Sequence, residues 1–148
     1  MPVIDHSSVS IRFMGENLTP DELTRLLGYP PTESIRPKFH TITRGLKSQP
    51  PKGIWSVSYG ESDSVDLEEK IKLLLNKLTN DLSVWNEITS KLDGDVFCGL
   101  LLDGWNRGFE LSPELLTELA YRNLRIGFDI YAPVDSWDES SKIDLEGE

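Results

Sequence analysis

The chain has 148 residues with 38% apolar and 27% charged residues, enough for one domain with a real core. Its formal net charge of −10 argues against a nucleic-acid binder, because phosphate contacts need lysine and arginine. The lone Cys98 rules out an internal disulfide or a cysteine metal cluster, and no run of about 18 apolar residues offers a membrane span.

The opening Met1-Pro2-Val3-Ile4-Asp5-His6 lacks the charged and apolar regions of a signal peptide, so a cytosolic, cytoplasmic location is expected. Val9 to Met14 then alternates as a strand, with Val9, Ile11 and Phe13 on one face and Ser10, Arg12 and Met14 on the other. Thr19-Pro20 opens a helix: threonine can cap free N–H groups, proline needs no donor in the first turn, and Asp21 and Glu22 suit the positive end of the dipole. Gly28 is its stop.

Pro30, Pro31, Pro37, Pro50 and Pro51 mark the following stretch as mostly loop, with Thr41 to Arg44 as a candidate edge strand. From Arg36 to Lys52 it carries Arg36, Lys38, Arg44, Lys47 and Lys52 and no acid; this reads as a solvated basic loop. Gly53 precedes a clearer strand, Ile54 to Tyr59, which Gly60 ends. Leu67, Ile71, Leu74, Leu75, Leu78, Leu82, Trp85 and Ile88 recur at helical spacing, as one long helix or two broken at Asn80-Asp81. Its charged side is assigned Glu68, Glu69, Lys70, Lys72 and Lys77.

Asp93-Gly94 is a turn, and Val96 to Leu102 is an unbroken apolar run, the pattern of a central strand buried on both faces. The turn Asp103 to Gly108 leads to Ser112-Pro113, which opens another helix. Arg125 to Tyr131 is the last strand, with Ile126, Phe128 and Ile130 facing one way and Gly127, Asp129 and Tyr131 the other. The domain is expected over 1–134; residues 135–148, with six acids and one lysine, read as a disordered acidic tail.

One motif occurs twice. Leu18-Thr19-Pro20-Asp21-Glu22-Leu23-Thr24-Arg25-Leu26 returns, offset by 93 (Pro20 to Pro113), as Leu111-Ser112-Pro113-Glu114-Leu115-Leu116-Thr117-Glu118-Leu119. Each copy follows a glycine, Gly15 or Gly108. The expected fold is therefore α+β: a ferredoxin-like sandwich of two duplicated βαβ halves with a helical insertion between them. Leu23, Leu26, Leu116 and Leu119 should pack on one face of one sheet.

Catalytic parts are scarce. His6 and His40 are the only histidines, no serine sits in a Gly-x-Ser-x-Gly elbow, and no phosphate-cradling glycine loop is present. Asp103, Gly108 and Glu114 match three places of a calcium loop, but Trp105 and Arg107 stand where oxygen ligands are needed. No catalytic residue, metal site or cofactor is assigned. Two binding candidates remain. Trp105-Asn106-Arg107-Gly108, following Asp103, is an insertion at a strand end absent from the first copy of the repeat; it reads as a binding loop or as a structural lid in which Trp105 covers the sheet edge, Asn106 supplies a turn and Arg107 pairs with Asp103. Asp129 and Tyr131 share a strand face with Gly127, and Arg12 and Trp55 join them if the registers allow.

Phe97 to Leu116, with Gly-Trp-Asn-Arg-Gly-Phe-Glu-Leu-Ser-Pro from Gly104 to Pro113 as its most specific part, resembles a bacterial family of small proteins, domain of unknown function four-two-seven-nine. Ile11 to Gly15, Leu18 to Leu23, Leu26-Leu27-Gly28, Gly53 to Ser56 and Phe128 to Tyr131 extend the resemblance over roughly Val9 to Pro133. It implies a bacterial, cytosolic, single-domain protein and brings no catalytic residues. The missing catalytic inventory beside an aromatic-rich loop and an acidic surface leads to the expectation of a non-enzymatic binding protein; one version is an immunity or antitoxin-like protein that blocks a basic toxin, since acidity speeds encounter with cationic partners. The alternatives are a small-molecule binder or enzyme with its site at the loop 103–108, and a homodimer joined through an open sheet face.

Overall fold

The computed structural model describes residues 6–37, 52–59, 65–102 and 108–131. The elements run β1 (His6–Gly15), α1 (Pro20–Leu27), β2 (Glu33–Ile35), β3 (Gly53–Ser58), α2 (Leu67–Lys77), α3 (Leu82–Thr89), β4 (Asp93–Leu101), α4 (Pro113–Tyr121) and β5 (Arg125–Tyr131). The fold is α+β: four helices and one five-stranded sheet in the order β2-β3-β1-β4-β5. Among the described residues only β4 and β5 pair in parallel.

Register decides what each strand buries. Ile11 pairs with Val57 and Val96, and Phe13 with Trp55 and Gly94. Val9, Ile11, Phe13, Trp55, Val57, Val96, Cys98 and Leu100 thus share one face. That face forms one apolar cluster with Leu23 and Leu27 of α1, Ile71 and Leu74 of α2, Trp85 and Ile88 of α3, and Leu115 and Leu119 of α4. All four helices therefore cover the same side of the sheet. Phe13 lies at the cluster's centre, its ring 6.0 Å from Trp55 and 5.9 Å from Trp85. Gly94 is required there: a Cβ would meet the Phe13 ring at 3.0 Å and Leu124 at 2.9 Å.

The two copies of the repeat close differently. β4 and β5 are parallel neighbours joined through α4, a true βαβ unit. β1 and β2, joined through α1, also run in the same direction, but β3 lies between them and is antiparallel to both, so that unit is split. In the described residues both connections are βαβ crossovers, one split by an inserted strand and one between neighbours. The helix faces differ as well. α1 buries Leu23 and Leu27, and α4 buries Leu115 and Leu119, an offset of 92 (Leu23 to Leu115) where the motif repeats at 93. That one-residue slip turns the second helix by about 100° relative to its motif. Leu116, expected in the core, is consequently 45% exposed.

Other expectations are corrected too. β4 is interior but not central, and among the described residues it is covered on one face only, with Gly94, Val96, Cys98 and Leu100 buried and Asp95, Phe97 and Gly99 half-buried. The long helical region is two helices, broken from Leu78 to Asp81, where Asp81 accepts from the Ser83 amide at 3.0 Å and caps α3. Lys70 is not on the charged side. Three residues after Leu67 and four before Leu74, it falls in the buried stripe, and its Nζ donates to the Ser7 carbonyl at 2.6 Å and the Ser7 hydroxyl at 2.9 Å. Gly28 ends α1 as expected, at φ 76, whereas Thr19 occupies the cap position of α1 without a side-chain cap bond. The edge strand is Glu33–Ile35; the candidate Thr41 to Arg44 and the acidic tail lie outside the described residues.

Candidate functional site

The opposite face of the sheet bears no helix among the described residues. Across it, register sets Ser58 beside Ser10 and Ser10 beside Phe97; Ser56 beside Arg12 and Arg12 beside Asp95; and Ser8 beside Gly99. β5 continues these rows with Arg125 beside Asp95, Gly127 beside Phe97, Asp129 beside Gly99 and Tyr131 beside Leu101. A polar, small-residue surface is what strands one layer thick must present to water.

Arg12 organises its middle. Its Nε donates to Asp95 Oδ1 at 2.9 Å and its Nη2 to Oδ2 at 2.7 Å, a fork-on-fork pair. The same guanidinium lies 4.3 Å from the centre of the Phe97 ring, so the flat cation also covers an aromatic face. The hydrogen bonds it donates to Asp95 raise the Arg12 pKa above its ordinary value against the opposing effect of burial. Ser10 and Ser58 share a hydroxyl hydrogen bond of 2.8 Å beside this cluster. At the β5 side Tyr131 donates its phenol to Asp129 Oδ2, and that bond, with the carboxylate's charge, raises the phenol's pKa.

Of the expected site residues, the structure brings Arg12, Asp129 and Tyr131 to this face. Trp55 is a correction: paired with Phe13, it points to the helices, is fully buried, and donates Nε1 to Thr24 Oγ1 at 3.1 Å. Asp103, Trp105, Asn106 and Arg107 lie outside the described residues. The segments flanking them are both tied to β5. The Leu102 amide donates to the Tyr131 carbonyl at 2.9 Å, and the Phe109 ring lies 5.2 Å from Phe128. Phe97 was missed because it sits inside an apolar run, and Asp95 because it stands between that run and the expected turn Asp93-Gly94. The signal was the serine alternation Ser8-Ser10 and Ser56-Ser58, which marks a face that no core covers.

Cys98 points to the core, where burial first and Asp95 second push its thiol up to about 12. No group of three or more His, Cys, Asp or Glu that could hold a metal exists among the described residues. A groove of about 220 Å³ lies elsewhere, between α2 and α4, lined by Lys72, Glu114, Glu118 and Arg122 among others. Arg12, Asp129 and Tyr131 do not line it. No described helix is long and apolar enough to cross a membrane.

No curated protein and no solved structure matches the chain. A family model does, over residues 5–133, which takes in β1 through β5 and the residues of the helix-free face: the chain belongs to the family described as domain of unknown function (DUF4279).

Proposed function

We propose that this protein is a non-enzymatic, cytoplasmic binding protein whose helix-free sheet face docks a basic protein partner. The observation that carries this reading is the Arg12–Asp95–Phe97 cluster, held in place by two hydrogen bonds and a ring contact on a face that nothing in the described residues covers. Arginine and aromatic side chains fixed in advance lose little entropy on docking. The net charge of −10 speeds encounter with a cationic surface, as an immunity or antitoxin-like role would need. Cys98, buried and protonated, gives no support to nucleophilic catalysis.

The test is co-purification from host cells with the wild-type chain, Ser8→Ala and Ser8→Arg. Ser8 is exposed on this face, so the arginine obstructs docking and repels a basic partner. A stoichiometric basic protein should bind the wild type and Ser8→Ala, weaken with salt, and be lost with Ser8→Arg. Absence of a stoichiometric partner, or one indifferent to Ser8→Arg, overturns the reading.

A second reading seats a small molecule against the loop 103–108. It is favoured by the ties of Leu102 and Phe109 to β5, which set that loop's two flanks beside Tyr131 and Phe128. Ligand-induced stabilisation lost on Tyr131→Phe would support it. The internal repeat supports a duplication of the strand-to-helix start, and the antiparallel order β2-β3-β1-β4 with helices on one side supports a ferredoxin-like sandwich to which α4 and β5 are added.

A further inference from the structure

The outer side of β5 has no strand beside it among the described residues. The strand is seven residues long, Arg125-Ile126-Gly127-Phe128-Asp129-Ile130-Tyr131, with no proline and no lysine. Natural edges are usually shortened, bulged or charged against pairing; this one is neither short nor bulged, and its two charges, Arg125 and Asp129, are opposite in sign. Its apolar side is open, with Phe128 38% and Ile130 54% exposed.

The backbone direction is fixed by one bond. The Tyr131 carbonyl accepts from Leu102 in the β4 direction, so by alternation Arg125, Gly127, Asp129 and Tyr131 turn their amides inward. Ile126, Phe128 and Ile130 therefore turn their N–H and C=O groups outward. An antiparallel strand added there must use those three residues for its hydrogen-bonded pairs.

The sequence of β5 is its own complement in that arrangement. With a two-fold axis at Gly127, Ile126 meets Phe128 of the second copy in a hydrogen-bonded pair. Arg125 meets Asp129 of the second copy in the closer, non-bonded pair, twice by symmetry. Gly127 faces its counterpart on the axis, where a side chain would meet nothing in the monomer. Apolar residues thus gather on the helix side and two opposite-charge pairs on the bare side. We infer that β5 pairs antiparallel with β5 of a second copy of this chain, in the register that sets Arg125 against Asp129, to form a continuous ten-stranded sheet. The interface is isologous, as a two-fold requires. It leaves Ser8 and the middle of the helix-free face open, so it stands or falls separately from partner docking.

Sedimentation and light scattering across a dilution series test it, with Arg125→Asp, Asp129→Arg and the double exchange. Wild type should move from the 16.7 kDa monomer towards twice that mass as concentration rises. Each single reversal sets like charges opposite one another at two places and should weaken association roughly tenfold or more. The double exchange should restore it. Hydrogen exchange gives an independent reading: the amides of Ile126, Phe128 and Ile130 should slow with concentration, while those of Gly127, Asp129 and Tyr131 should not change. A monomer at every concentration overturns the inference. So does a dimer that ignores the single reversals, or a folded double exchange that stays monomeric.

Discussion

At Arg12 a single side chain does two jobs, neutralising Asp95 and covering Phe97, and neither could be read from its own strand. The alternation of β1 placed Arg12 opposite the core; only register placed Asp95 and Phe97 beside it. The same limit explains Trp55: its strand was plain in the sequence, and its face was settled by pairing with Phe13. Removing either member of the Arg12–Asp95 pair should cost about 1–2 kcal/mol, discounted from a buried pair because Arg12 retains 30% side-chain exposure. Urea unfolding of Arg12→Ala, Asp95→Ala and the double variant should show strong coupling, the double costing much less than the two singles together. Additive losses would mean that the pair is not formed in solution. Cys98 offers a second check at this scale. With its thiol pushed up to about 12 and no exposed surface, it should react with thiol reagents near pH 8 only as fast as the chain opens. Fast labelling of the folded protein would contradict the packing described for β4.

Among the elements, α4 shows how a repeated motif can mislead. Thr19-Pro20 and Ser112-Pro113 both start helices, as the sequence indicates. Their contents then serve different ends. Thr24 accepts from Trp55, while Thr117 bonds back to the Pro113 carbonyl, and the buried leucines are one position out of step. Leu115→Ala and Leu119→Ala should each cost roughly 2–5 kcal/mol through lost burial and a cavity. Leu116→Ala should change stability by no more than about 0.5–1 kcal/mol. Chemical denaturation that ranks Leu116 with Leu119 would restore the motif's own register. The start of α4 also depends on α2: Glu68 accepts from the Ser112 amide at 2.6 Å and the Ser112 hydroxyl at 2.7 Å, and pairs with Lys72 at 3.0 Å. Burial alone would raise the Glu68 pKa, but the Ser112 bonds and Lys72 together hold it below the ordinary 4.5. A depressed carboxylate stabilises fully above its unfolded pKa and loses that contribution as pH falls through its folded one. Glu68→Gln should therefore be less stable than wild type near pH 7, and the gap should narrow as pH drops below about 4.5. Melting curves with a gap independent of pH would remove the charge from this account.

Across the whole molecule, the sheet order β2-β3-β1-β4-β5 was the least legible feature, because pairing between distant strands leaves no mark in local periodicity. Strand positions were readable from alternation, and the last strand was bounded at Arg125 and Tyr131 in both readings. The apolar run of β4 suggested cover on two faces; a single layer of helices gives it one, and Arg12 shields Phe97 on the other. The order makes β1 the centre: it pairs along its length with β4 and over its second half with β3, and its Val9, Ile11 and Phe13 are fully buried. Such a strand opens only when both neighbours and the helix layer give way. Among the described residues β2 pairs with β3 alone, over three exposed residues, Glu33 to Ile35. Native-state hydrogen exchange should accordingly divide the sheet. Amides of Val9 to Phe13 should exchange at the rate set by global unfolding and slow in step with stability when stabilising salt is added. Those of Glu33 to Ile35 should exchange through local fraying, far faster and with little response to the same salt. Equal protection in β1 and β2 would mean that β2 is held by more than β3, and the sheet would then have no weak edge on that side.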